Sequence, residues 1–144
     1  MVKRQLGLTL IELLITILLI GLFVVAVMPF TQAWTANAEI SKSEKYLLEA
    51  LAKARNEALR NTNGVVGAST MAAKVSFDNS TKEILVKNSA NVVTWKSIIP
   101  ALASISFSPN CSNTVQFNNN AQIISACQSY SISANGGTDA TGQL

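Results

Sequence analysis

The chain has 144 residues, of which 49% are hydrophobic and 13% charged, with a formal net charge of +3. That charged share is about half of the usual ~25%, which argues against disorder and against a charged nucleic-acid-binding tail. There is no histidine and there are two cysteines, so the commonest general base and commonest metal ligand are missing and at most one intramolecular disulfide can form.

The N-terminal stretch Met1–Gly7 is short and basic through Lys3 and Arg4. From Leu8 to Phe30, 18 of 23 residues are apolar and Glu12 is the one charged residue. About 20 apolar residues suffice to cross a bilayer as a helix, and flanking basic residues hold the N-terminus on the cytoplasmic side. A secretory signal peptide is one reading, but its apolar core spans about 7–15 residues before a small-residue cleavage site. Val25-Ala26-Val27-Met28-Pro29 is a poor site of that kind. A plain membrane anchor is a second reading, and it leaves Glu12 unexplained. A carboxylate within a spanning helix costs on the order of 3 kcal/mol and so marks a functional position.

A third reading rests on Gly7-Leu8-Thr9-Leu10-Ile11-Glu12-Leu13. This stretch resembles the processing site of type IV prepilins and pseudopilins. The resemblance implies cleavage between Gly7 and Leu8 by a prepilin peptidase/N-methyltransferase, methylation of the new Leu8 amine, and a glutamate, Glu12, five residues into the mature chain. A buried carboxylate needs an opposite charge. Within its own helix the nearest is the Leu8 amine, about one turn away. In a bundle of such helices the terminal ammonium of a neighbouring subunit could serve, which would favour one axial register. Snorkelling of Glu12 to the headgroups is the alternative.

Gly21 and Pro29 both weaken a helix. They predict a kink or local melting between them, suited to a helix that flexes in a filament; the alternative is the ordinary tolerance of both residues in membrane helices. Trp34 fits a membrane interface. Helical periodicity resumes there. Ile40, Leu47, Leu51, Ala54 and Ala58 form one stripe, and alternating charges, with Glu49 four residues before Lys53, cover the rest. Asn61-Thr62-Asn63-Gly64 ends the pattern, with Gly64 as the expected left-handed terminator. A helix from Leu8 to about Asn61 would be roughly 80 Å long. Ala54, Arg55, Glu57 and Ala58 resemble the end of the long helix in FimT/GspH-type minor pilins and pseudopilins.

Beyond Val65 the pattern alternates. Short strands are predicted at 74–77, 83–87, 91–99, 104–107, 114–117, 121–124 and 128–133, with turns at 78–82, 88–90 and 118–120. Residues 134–144 read as a flexible tail. Cys111 and Cys127 bracket 15 residues; with the head outside the inner membrane a structural disulfide is expected, and a C-terminal disulfide loop is common among type IV pilins. Asp78 and Glu83 read as solvated turn residues, and Trp95 as core or subunit contact. Lys74, Lys82, Lys87 and Lys96 offer a weak basic patch for DNA; a solvated sheet face is the simpler reading. Some FimT-type proteins bind DNA through C-terminal arginines, which this chain lacks.

These readings predict an α+β pilin fold with a leader (1–7), a transmembrane and filament-core helix (8–30), the amphipathic half of the same helix (31–63) and a β-rich head (64–144). No enzyme signal, metal ligand set or cofactor motif is found. The resemblance implies a minor pilin of a type IV pilus or a pseudopilin of a type II secretion system. Its partners would be the peptidase, the inner membrane and other pilins contacted through the N-terminal helix. It would begin as a single-pass inner-membrane protein with a periplasmic head and end in the pilus or pseudopilus. A pilus-tip module for DNA uptake or adhesion is the alternative.

Overall fold

The computed structural model describes residues 9–108 and 111–144. One helix, α1, runs from Leu10 to Arg60 without interruption, about 77 Å at 1.5 Å per residue. The melting expected between Gly21 and Pro29 is not seen: both residues are helical. Pro29 removes a single backbone donor and Gly21 adds only backbone freedom, and the surrounding Leu, Ile and Val ladder holds.

The second half of α1 buries Ala36, Ile40, Ser43, Leu47, Ala50, Leu51, Ala54 and Ala58. These include every residue of the predicted stripe, spaced by three and four so that they share one face. Alanine at 50, 54 and 58 lets strands approach the helix axis closely. The helix ends at Arg60, and the capping residue Asn61 takes the left-handed conformation (φ 42°, ψ 51°) that Gly64 was expected to take. Asn61 tolerates it because its side chain brackets Val65, accepting from the Val65 N–H and donating to the Val65 carbonyl, both at 2.8 Å. Gly64 is also left-handed (φ 62°), three residues further on.

The head holds two antiparallel sheets. The strands are β1 (Ala73–Asp78), β2 (Glu83–Asn88), β3 (Val93–Ile98), β4 (Ala103–Phe107), β5 (Thr114–Phe117), β6 (Ser129–Ala134) and β7 (Ala140–Gln143). The first sheet has the order β3-β2-β1-β5 and the second β4-β6-β7. The chain therefore leaves the first sheet after β3, returns for β5 and leaves again. Strict alternation along β1, β2, β4, β5 and β6 turns Val75, Ile84, Val86, Ile105, Val115, Phe117 and Ile132 into a core shared with α1.

Two predicted features differ. The segment 121–124 is not a strand; it touches β5 through one bridge, Phe117 to Ile123. Asn118, almost fully buried, folds it instead, its Oδ1 accepting from the Asn120 and Gln122 N–H groups and its Nδ2 donating to the Ala68 carbonyl. The C-terminal tail is ordered into β7, which pairs with β6. Gly136 supplies the positive φ of 84° that the connecting turn requires.

The second sheet is fastened to α1 by helix side chains that accept hydrogen bonds. Asn37 accepts from the Thr138 N–H at 2.8 Å, Glu39 from the Leu102 N–H at 3.2 Å, and Glu44 from the Tyr130 hydroxyl at 2.9 Å. Tyr130 is buried beneath Gly142, where any Cβ would collide with its ring. Gly142→Ala is therefore expected to lower the stability of the full chain in detergent by about 1–3 kcal/mol, and Tyr130→Phe by about 1 kcal/mol. Burial, then the hydrogen bond and charge of Glu44, hold the Tyr130 phenol above its ordinary value near 10. The fold thus favours the neutral phenol, and this contribution is complete below the ordinary value and fades as pH climbs through the raised one. Thermal melts across about pH 8 to 11 should show a decline that Tyr130→Phe reduces.

Candidate functional site

The first turn of α1 is closed by a reciprocal cap. The Thr9 hydroxyl accepts from the Glu12 N–H at 3.3 Å, and Glu12 Oε2 accepts from the Thr9 N–H at 2.9 Å and the Thr9 hydroxyl at 2.8 Å. This capping box satisfies two donors that a helix N-terminus otherwise leaves open, and places the carboxylate where the helix dipole favours negative charge. Glu12 Oε1 has no partner among the described residues. Thr9 was not singled out from the sequence, although Thr9-Leu10-Ile11-Glu12 has the threonine–glutamate spacing of a capping box ahead of an apolar run. The Leu8 amine, the expected partner of Glu12, and Gly7 both lie outside the described residues.

Around this carboxylate the helix is bare. Its most apolar 18-residue window has a mean hydropathy of 3.0 and none of it is buried. Gly21 and Pro29 both lie on this exposed part, as do Leu14, Leu18, Phe23 and Phe30. Monomeric soluble proteins rarely leave so continuous an apolar surface in water. Trp34, 75% exposed, stands just past its end.

Cys111 and Cys127 are joined as a disulfide, with Cα atoms 5.1 Å apart. Cys111 follows β4, Cys127 precedes β6, and β5 lies between them. The bond thus closes the excursion that the chain makes from the second sheet to the first and back.

The four lysines do not form one free patch. Lys96 pairs with Glu83 at 2.8 Å, and Lys82 donates to the Ala103 carbonyl at 2.9 Å. Lys74 and Lys87 face each other across β1 and β2. Glu83, expected to be solvated, takes part in this exposed ion pair. Asp78 is exposed and accepts from the Ser80 N–H at 2.8 Å, and that bond holds its carboxyl below the ordinary range. Trp95 is half-buried, packed against the core, and lines an open groove with Lys53, Asn56, Glu57, Arg60 and Thr94. Among the described residues no three His, Cys, Asp or Glu side chains are grouped as metal ligands.

The N-terminal region can be matched outside this chain. Residues 2–28 match the family model of the prokaryotic N-terminal methylation motif. The chain has a prepilin-type N-terminus. It carries that motif into a long helix backed by an antiparallel β head, an arrangement consistent with a type IV pilin-like protein. Neither the curated proteins nor the solved structures include a match.

Replacing both Cys111 and Cys127 by Ser is expected to destabilise the head by about 3 kcal/mol, the chain-entropy value for a loop of this size. Thermal melts with and without reductant should reproduce that loss in the parent chain and show none in the double variant.

Proposed function

We propose that the protein is a minor pilin of a type IV pilus, a structural subunit that works by packing and not by catalysis. The prepilin peptidase/N-methyltransferase would cut between Gly7 and Leu8 and methylate the Leu8 amine. The head would stand in the periplasm, and the N-terminal helix would then leave the inner membrane to pack against other pilins. The observation that carries this reading is Glu12, the one charge in an exposed apolar helix, at the fifth position after the Gly7–Leu8 bond and inside the matched motif.

The cap at Thr9 is compatible with both events. Cleavage at Gly7–Leu8 leaves the Thr9 amide and hydroxyl intact, so both donors to Oε2 survive. Oε1 is left to meet a cation, either the new Leu8 ammonium or that of a neighbouring subunit, and the latter would set the axial register. Flexing at Gly21 and Pro29 during packing belongs to this proposal as well. A pseudopilin of a type II secretion system would use the same helix chemistry, and the operon context separates the two. DNA uptake or adhesion at a pilus tip is less favoured, because Lys82 and Lys96 are already engaged within the head.

Mass spectrometry of the chain from its native host should show a mature N-terminus at methylated Leu8; an intact Met1 refutes the reading. Glu12→Gln retains a side chain able to cap but loses the charge. It should leave the head folded and still lower pilus assembly about as much as Glu12→Ala, by tenfold or more if the lost pair contributes ~1.4 kcal/mol or above. Normal pilus number in Glu12→Gln removes the register role.

A further inference from the structure

At the pole of the head nearest the apolar helix, two turns lie against α1. Leu102, in the turn between β3 and β4, gives its N–H to Glu39, and its side chain lines a cleft with Gln32, Thr35 and Asn135. The turn between β6 and β7 is held by the Thr138 N–H to Asn37. It sits so close that a Cβ on Gly137 would come within 2.7 Å of Ile40. Leu102 is 59% exposed, and Ala101 beside it is also exposed.

The height of this pole follows from the helix. Leu10 to Phe30 rises about 30 Å, which matches a hydrocarbon core of about 30 Å. Gln32 and Thr35 stand about 3–8 Å beyond Phe30 along the axis, and the headgroup region occupies about 5–7 Å on each side of the core. Leu102 lines a cleft with Gln32 and Thr35 and gives its N–H to Glu39, about 14 Å beyond Phe30, so its turn reaches headgroup depth from just outside it. Trp34 lies at the same height, and its ring is of the type that settles at that depth.

The chemistry of the pole agrees. No charged residue occurs from Thr31 to Ala38, from Ser97 to Leu102, or from Asn135 to Thr138. Two acidic side chains border the pole, half-buried Glu39, which takes the Leu102 N–H, and exposed Asp139, next to Thr138; the exposed basic residues of the helix begin at Lys42. An exposed leucine in a turn that carries no charge of its own, with its N–H already given to Glu39, can enter a lipid interface at lower cost than a charged turn.

We propose that the Pro100–Leu102 turn is a second membrane contact, with Ala101 and Leu102 dipping into the headgroup boundary of the bilayer that α1 spans. The proposal rests on the reading of Leu10–Phe30 as the spanning segment. Trp34 and Leu102 then hold the helix at two points of its circumference, and the head rests on the membrane at a defined tilt before assembly.

The test uses the full chain in vesicles of phosphatidylethanolamine and phosphatidylglycerol carrying a shallow nitroxide lipid. The native cysteines are joined to each other, so single substitutions Leu102→Cys, Ala101→Cys, Leu14→Cys and Val66→Cys can each take an environment-sensitive fluorophore. Val66 follows the far end of α1, whose last residue, Arg60, is about 45 Å from Phe30 along the axis. Labels at 101 and 102 are expected to lose most of their emission to the nitroxide, as at 14, while the label at 66 keeps its emission. Quenching at 14 without quenching at 101 and 102 overturns the second contact and leaves the anchor standing. Equal quenching at 66 also overturns it, since the dye would then be partitioning by itself. No quenching at 14 removes the anchor and the second contact together.

Discussion

Everything in this molecule depends on one helix being asked to satisfy two environments. Sixteen large apolar side chains between Leu10 and Phe30 stand open to solvent in the isolated chain. Covering such side chains is worth about 1.5–3 kcal/mol each, so their combined demand is several times the ~5–15 kcal/mol that holds a typical domain folded. The segment cannot be a passive extension of the head. Lipid or other apolar helices would cover it, and under the proposed function the change from one to the other is the transition that assembly would exploit. Because α1 continues without a break into the head core, whatever fixes the helix also fixes the height and direction of the head.

The two sheets are attached to that helix by different means. The first lies on the stripe of Leu47, Leu51, Ala54 and Ala58, where small residues allow close approach and the fit is apolar. The second depends more on directed polar contacts, with Asn37, Glu39 and Glu44 each accepting one hydrogen bond. A one-residue change in the register of α1 would turn these acceptors by about 100° and leave the donors of the second sheet unpaired. The Cys111–Cys127 bond adds a covalent tie at the place where the chain passes between the sheets. Apolar packing thus brings the layers together, and the polar contacts select a single arrangement of them.

The long-range plan was legible in the sequence because period and composition carry it. The apolar run, the stripe at 40–58 and the alternation from Ala73 onward each repeat over enough residues to outweigh local exceptions. What was missed depended on one side chain acting locally. Asn61 ends the helix in place of Gly64 because it can bond Val65 twice, and Asn118 converts a plausible strand at 121–124 into a folded turn. The tail reads as mobile because chain ends usually are, and it contains three glycines. Those glycines are needed for a hairpin at Gly136 and for close approach at Gly137 and Gly142. The separation into two sheets could not be read from strand spacing, since β5 joins β1 across an intervening strand of the other sheet. At the N-terminus the Thr9–Glu12 spacing was present but was absorbed into a different motif.

That overlap bears on why the acid at position 12 is a glutamate on a threonine-started helix. The cap alone can be made by either a carboxylate or an amide at this spacing, and it uses a single oxygen of Glu12. A charge is needed only if something cationic arrives at the other. In the uncleaved chain that oxygen faces no described donor, and holding it in lipid costs free energy. The cap lowers that cost by bonding half of the carboxylate and aligning the rest with the helix dipole. Under the proposed function, Thr9 would let a subunit wait in the membrane with its charge in place, the other oxygen being free, among the described residues, to meet an ammonium. On that proposal the same two residues would reconcile insertion, which disfavours a bare carboxylate, with an assembly step that uses its charge.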